Sequence, residues 1–208
     1  MFPFFRNMFY LCRSNQPFHT VWTMATVPRI AAVSCFSTMP LIYGVRHAGN
    51  LRAELLLSDP EEVIREFSEH RADIALVPFW AVPSLAGAKI VTEYCVGGVP
   101  AARHALLAAG DPLLDAWREA GAPLPFAFAV WVARPEVDPD RIGALQQALT
   151  FGLEHGYEAL LDSEFASEAA AAYELLDSFD YIFDNQKHKA LQQFWDSGLK
   201  VAPRANPG

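Results

Sequence analysis

Apolar residues come in short, separate runs along this chain, and each run is bounded by residues that start or stop an element. The first, Ile30 to Val33, reads as a short buried strand. It gives way to Ser34, Cys35, Phe36, Ser37 and Thr38, and a second apolar segment begins after Pro40. Small hydroxyl residues at a strand end, with Pro in the first turn of the next segment, predict a strand–loop–helix. The first N–H groups of such a helix lack internal partners and suit an anion. Taken alone, the hydroxyls need be no more than an N-cap.

Leu51 to Leu57 is the second strand candidate. Ser58-Asp59-Pro60-Glu61-Glu62 then supplies a cap, a first-turn Pro and acids against the positive end of a helix dipole. Val63, Ile64 and Phe67 recur at helical spacing through Ser68, which predicts one apolar face. His70 and Arg71 fall where positive charge is favourable, so His70 reads as a helix-end residue. Asp73 to Pro78 is a third buried strand. Ala88 to Gly98 is a fourth and ends in a Gly pair, which would allow either close approach of a ligand or, more simply, a turn.

Residues 99–122 carry little pattern beyond a short helical segment from Asp111-Pro112 through Trp117 to Gly121. Leu124 to Ala133 alternates, with Phe126, Phe128 and Val130 on one side. Asp138-Pro139 caps a long helix to Leu161 in which Gly152 and Gly156 are weak points. Ser163–Asp177 and Asp184–Ser197 are the last two helices. In the final one Ala190, Leu191, Phe194 and Trp195 form an apolar stripe best read as core. Strands alternating with helices predict parallel βαβ units, hence an α/β sheet covered on both faces. Ligands bind such sheets at the carboxyl ends of strands, here Ser34–Thr38, Ser58 and Pro78-Phe79-Trp80.

Composition narrows the function classes. With 208 residues, 52% hydrophobic and 19% charged, the chain can fill one large domain or two small ones. A net charge of −8 argues against general affinity for nucleic acid. No apolar run approaches the ~20 residues needed to cross a bilayer, so no membrane partner is expected. Cys12, Cys35 and Cys95 are an odd set without metal-ligand spacing, which argues against a disulfide framework and fits a reducing, cytoplasmic setting. There is no Gly-rich phosphate loop or nucleophile elbow, and His47, His104, His155 and His188 are isolated. No metal site is therefore expected. Residues 1–23 are aromatic-rich and aperiodic, and their apolar pieces are broken by Arg6, Asn7 and Arg13. They read as a disordered extension before a natural start at Met24 rather than as a targeting peptide. Residues 201–208 read as a loose tail.

Arg29-Ile-Ala-Ala-Val-Ser-Cys-Phe-Ser-Thr-Met-Pro-Leu-Ile-Tyr-Gly44 resembles the opening of the chorismate dehydratases of the futalosine route to menaquinone, whose loop runs Ser-Tyr-Leu-Asn-x-x-Pro-Leu. The likeness continues through Glu54-Leu-Leu-Leu57, Ala72-Asp-Ile-Ala-Leu-Val-Pro78 and Ile90-Val-Thr-Glu-Tyr-Cys-Val-Gly97. It resumes at Asp115-Ala-Trp-Arg118, Leu124 to Val132, Tyr181-Ile-Phe-Asp184 and Lys189-Ala-Leu-Gln-Gln-Phe194. The resemblance implies a two-lobed fold like that of the type II solute-binding proteins, with substrate held between the lobes. It implies a lyase that removes water from chorismate without metal or organic cofactor. Ser37 takes the place of the family's loop Asn and would assist elimination. Ser34, Thr38, Ser58, Phe79, Tyr94, Gly97 and Gly98 would contact the dicarboxylate.

Two departures qualify those expectations. Serine is shorter than asparagine and lacks the amide's fixed donor and acceptor pair. The family also has a substantial second lobe, including a Gly-Pro-Val-x-Ser string, between the strand ending at Gly97 and the segment holding Trp117. Here Gly98-Val99-Pro100 is followed by Ala101 and Ala102, and residues 98–123 are too few for a packed lobe. The expected organisation is one main α/β lobe, a parallel or mixed sheet flanked by helices, from residues 24–97 and 124–200, with 98–123 a remnant of the other. A half-cleft excludes water poorly, and a homodimer would supply the missing wall. A non-catalytic small-anion-binding protein on the same lobe is the alternative, and an inert truncated copy is the third reading.

Overall fold

A computed structural model of the chain describes residues 27–98, 125–177 and 179–198. The expected extension 1–23 with its start at Met24, the helix around Trp117, nearly all of the lobe remnant and the tail 201–208 lie outside the described residues. Cys12 and His104 do as well.

The strands are β1 (Arg29–Val33), β2 (Glu54–Ser58), β3 (Ile74–Pro78), β4 (Lys89–Gly98), β5 (Phe126–Ala133) and β6 (Asp180–Ile182). They form one sheet in the order β2-β1-β3-β5-β4-β6. The sheet is mixed rather than purely parallel. β1 runs parallel to β2 and β3, whereas β5 is antiparallel to both β3 and β4, and β4 is antiparallel to β6. Because Pro78 pairs with Ala129 and Gly98 with Phe126, the chain leaves β4 and re-enters β5 at the edge where β1, β2 and β3 end.

The helices are α1 (Met39–His47), α2 (Pro60–Ser68), α3 (Pro139–Glu154), α4 (Gly156–Leu161), α5 (Ala169–Leu176) and α6 (Asn185–Asp196). Their starts follow the sequence signals. Asp59, Asp138 and Asp184 each accept a backbone N–H from the first turn they precede, at 2.9 Å. The predicted helix from Asp138 to Leu161 breaks into α3 and α4 at His155, between Gly152 and Gly156. The predicted helix 163–177 is helical only from Ala169, after a short 3₁₀ turn at Ala166–Glu168. Two residues past the end of α2, His70 takes φ 61°. Glycine usually fills that left-handed position, so the sequence carries no sign of it.

Both faces of the sheet are covered. Val63 and Phe67 of α2 pack with Phe128, Val130 and Val132 of β5 and with Ala190, Leu191 and Phe194 of α6. On the other face, Leu41 and Ile42 of α1 and Leu145 and Leu149 of α3 pack with Ile74, Leu76 and Trp131. This places the alternation of β5 on the two faces as the sequence predicts. Helices α1 and α3 meet backbone to backbone: a Cβ on Gly44 would lie 2.0 Å from the Ala148 carbonyl oxygen, and one on Gly152 would lie 2.0 Å from that of Pro40. Only glycine fits at either position.

Candidate functional site

The loop after β1 is built by its own polar groups. The Ser34 N–H donates to the Ser58 carbonyl at 3.0 Å, extending the β1–β2 ladder by one bond. The Thr38 hydroxyl lies 2.8 Å from the Val33 carbonyl and 2.7 Å from that of Cys35, and accepts the Cys35 N–H at 3.1 Å. One hydroxyl proton is shared between two carbonyls, so Thr38 closes the turn. Within this 3₁₀ turn, Phe36–Thr38, the internal bonds run from Thr38 N–H to the Cys35 carbonyl and from Met39 N–H to the Phe36 carbonyl. The N–H groups of Phe36 and Ser37 find no carbonyl within the turn, as at any helix start.

Ser37 and Thr38 are each about 1% exposed. The Ser37 Oγ lies 3.3 Å from the Cys35 Sγ, and the Ser37 carbonyl accepts the Tyr181 hydroxyl at 2.8 Å. Burial pushes the Tyr181 phenol well above its usual range. It therefore stays a neutral donor, tying the loop to β6.

The carboxyl edge brings together Ser34–Thr38, Ser58, Pro78-Phe79, Gly98 and the start of β6, because β1, β2, β3 and β4 all end there and β6 begins there. Ser34 is exposed and Ser58 half-buried. The Phe79 ring is 1% exposed and packs edge-on against Phe126 (4.8 Å) and Phe194 (4.9 Å), so it belongs to the core. Its carbonyl accepts the Trp195 indole N–H at 3.0 Å. Tyr94 sits apart from the edge: it faces α3, its hydroxyl 2.8 Å from that of Thr150.

Gly97 and Gly98 correct the expectation of a turn, since both lie inside β4. A Cβ on Gly97 would stand 2.7 Å from the Phe126 carbonyl oxygen and 2.9 Å from both the Asp180 carbonyl oxygen and the Lys187 Cε. The glycine makes room for a lysine rather than for a turn.

Nothing in the local sequence singles that lysine out. Lys187 on α6 is 0% exposed, and its Nζ donates to the Asp180 carboxylate at 2.5 Å and to the Ile182 carbonyl at 2.7 Å. A Lys flanked by His188 and Lys189 reads as a solvated face, and only the Asp184 cap three residues earlier hints at a fixed position. Nearby, burial pushes the Cys95 thiol up to about 12. It is protonated and unreactive at neutral pH. Among the described residues no three His, Cys, Asp or Glu side chains converge as a metal would need. None of the described helices is long and apolar enough to cross a membrane.

No family model matches this sequence, and no curated protein does either. Similarity emerges in solved structures. The protein AF1704 of Archaeoglobus fulgidus superposes with a TM-score of 0.64 at 12% identity, over 81% of this chain and 95% of that one. The CA3427 gene product of Candida albicans, described as exhibiting the generic periplasmic binding protein structural fold, superposes with a TM-score of 0.55 at 11% identity, over 86% and 92% of the two chains. At such identities the likeness concerns architecture alone. With its mixed sheet, helices on both faces and central antiparallel β5, the chain has a periplasmic-binding-protein-like fold.

Proposed function

We propose that this chain is a chorismate dehydratase-like protein that holds a small dicarboxylate at the carboxyl edge of its sheet. The observation that carries the reading is the meeting, at that one edge, of segments scattered through the sequence. The Ser34–Thr38 loop, Ser58, the end of β4 and Tyr181 lie in or beside stretches that resemble the family, and the Tyr181 hydroxyl bonds the loop directly. Orphan N–H groups at the start of the 3₁₀ turn suit a carboxylate. Dehydration requires a C–H bond and a C–O bond of the ring to break, a C=C bond to form and water to leave. Ser37 stands where the family's loop Asn would assist that departure.

A second reading, binding without turnover, is favoured by a specific observation. The Ser37 hydroxyl is buried against Cys35, and that of Thr38 is consumed by its own loop. Under it the edge grips an anion through backbone N–H groups and Ser34 and carries no elimination chemistry.

Incubating the purified chain with chorismate and following the carboxyvinyloxy-benzoate product by chromatography separates the two. Product is expected under the lyase reading, and Ser37→Asn should keep or raise its rate. Saturable protection against thermal unfolding without product would select the binding reading. Neither product nor protection would remove both.

A further inference from the structure

A cavity of about 220 Å³ opens beside Ser34 and the end of β2, between α1 and the end of α4. Its apolar part is Met39, Ile42 and Leu57, and its charged part is Arg46 on α1 together with Asp162 and Glu164 beyond α4. Met39, Ile42 and Arg46 share one stripe of α1, at spacings of three and four residues. Asp162 and Glu164 are set by a turn that Ser163 fixes, its hydroxyl donating to the Leu160 carbonyl at 2.7 Å and accepting the Phe165 N–H at 3.1 Å.

The charges lining this cavity have not neutralised one another. Among the described residues the exposed side chains of Arg46 and Glu164 form no hydrogen bond or ion pair, and the exposed carboxylate of Asp162 meets only His47, 3.7 Å away. A guanidinium takes a carboxylate through two parallel N–H bonds, and two carboxylates suit an ammonium. Between them the apolar stripe accepts a hydrocarbon side chain. The volume falls below the ~300–1,000 Å³ of pockets for drug-sized ligands, which limits the occupant to the size of an amino acid. With two acids against one guanidinium, a dicarboxylate is disfavoured among these charged side chains, and Ser34 is the residue this cavity shares with the grip proposed at the carboxyl edge.

We propose that the cavity lined by Arg46, Asp162, Glu164, Met39, Ile42 and Leu57 is a second ligand site, for a small zwitterion of the α-amino acid class with an apolar side chain. This inference does not rest on the lyase reading. The carboxylate sits on Arg46, the ammonium between Asp162 and Glu164, and the side chain on the floor.

Calorimetric titration of the full chain with L-leucine, L-methionine and L-phenylalanine tests it. Saturable binding of at least one is expected, at one site per chain. Arg46→Ala, and separately the double change Asp162→Asn with Glu164→Gln, should each weaken it at least tenfold while circular dichroism stays unchanged. N-acetyl-leucine and leucine methyl ester, each lacking one charge, should bind at least tenfold more weakly than leucine. No saturation by any of the three amino acids, or equal binding of either blocked derivative, overturns the proposal. Affinity that survives both sets of substitutions does so too.

Discussion

The Tyr181 hydroxyl donates to the Ser37 carbonyl at 2.8 Å, linking β6 to the loop after β1 across 144 residues of sequence. The phenol is half-buried and neutral, and the carbonyl belongs to a residue that is itself buried. Tyr181→Phe removes the donor and leaves a buried acceptor short of a partner, which costs about 1–3 kcal/mol. Urea denaturation should show that loss with an unchanged slope against denaturant. Hydrogen exchange should show faster exchange at Cys35 and Thr38, whose N–H groups are bonded within the loop. A destabilisation without faster exchange there would mean that the bond does not hold the loop.

Helices α1 and α3 touch through glycine, and the contact leaves no space for a methyl group. Gly44→Ala or Gly152→Ala puts a carbon 2.0 Å from a backbone oxygen, which only a shift of one helix can relieve. Overpacking of this kind costs about 1–3 kcal/mol or more. Gly143, on the same α3, has nothing within 4 Å of the position a Cβ would take. There Ala should stabilise the chain by about 0.5–1 kcal/mol through helix propensity. Thermal melts of the three variants should separate them by sign, and equal effects at Gly143 and Gly152 would contradict the packing described.

How far the sequence leads differs between scaffold and site, for physical reasons. Periodicity and capping locate β1, β3, β5, α2 and α6 because those signals are local: an apolar run, an Asp before a first turn, a Pro after it. They miss the antiparallel insertion of β5 between β3 and β4, since strand direction depends on long-range pairing that no local pattern encodes. The same limit applies at the site. Ser34, Ser58 and the end of β4 reach the carboxyl edge as expected, because strand ends are legible and sheets gather them. The Phe79 ring turns inward because it continues the buried run of β3, and Tyr94 faces α3. Lys187 is illegible because a buried lysine is recognised by its partner, and Asp180 reaches it only through the fold.

The Lys187–Asp180 pair joins a wholly buried cation to a carboxylate that keeps 47% of its side chain exposed. The two halves should therefore respond unequally to substitution. Asp180→Asn strands an ammonium in the interior with the Ile182 carbonyl as its other acceptor, which costs about 3–5 kcal/mol before solvent reaches it. Lys187→Met keeps the volume, removes the buried charge and leaves a carboxylate that water can solvate, so its cost should be much smaller. Denaturant midpoints should fall further for Asp180→Asn than for Lys187→Met. The reverse order would mean that the carboxylate, not the lysine, bears the burial penalty.

Arg29 fixes the acid side of the stability curve through Asp73. Partial burial pushes the Asp73 carboxyl upward, but the Arg29 side chain at 2.8 and 3.2 Å and the Arg29 N–H at 2.8 Å outweigh it and hold the carboxyl below its usual range. A folded value below the unfolded one, about 3.9, means that the unfolded chain binds the proton more readily. The contribution is thus fully present above that unfolded value and is lost as pH falls through the folded one. Glu66, held down by its hydrogen bond from Arg71, adds a loss of the same sign. Asp73→Asn should therefore lower stability at neutral pH and flatten its fall below about pH 4. Glu66→Gln should flatten it as well, because it removes the carboxylate that Arg71 holds ionised. Denaturant midpoints measured from pH 7 downward, in low and in high salt, test both. An unchanged acid slope in Asp73→Asn would show that Arg29 does not set it.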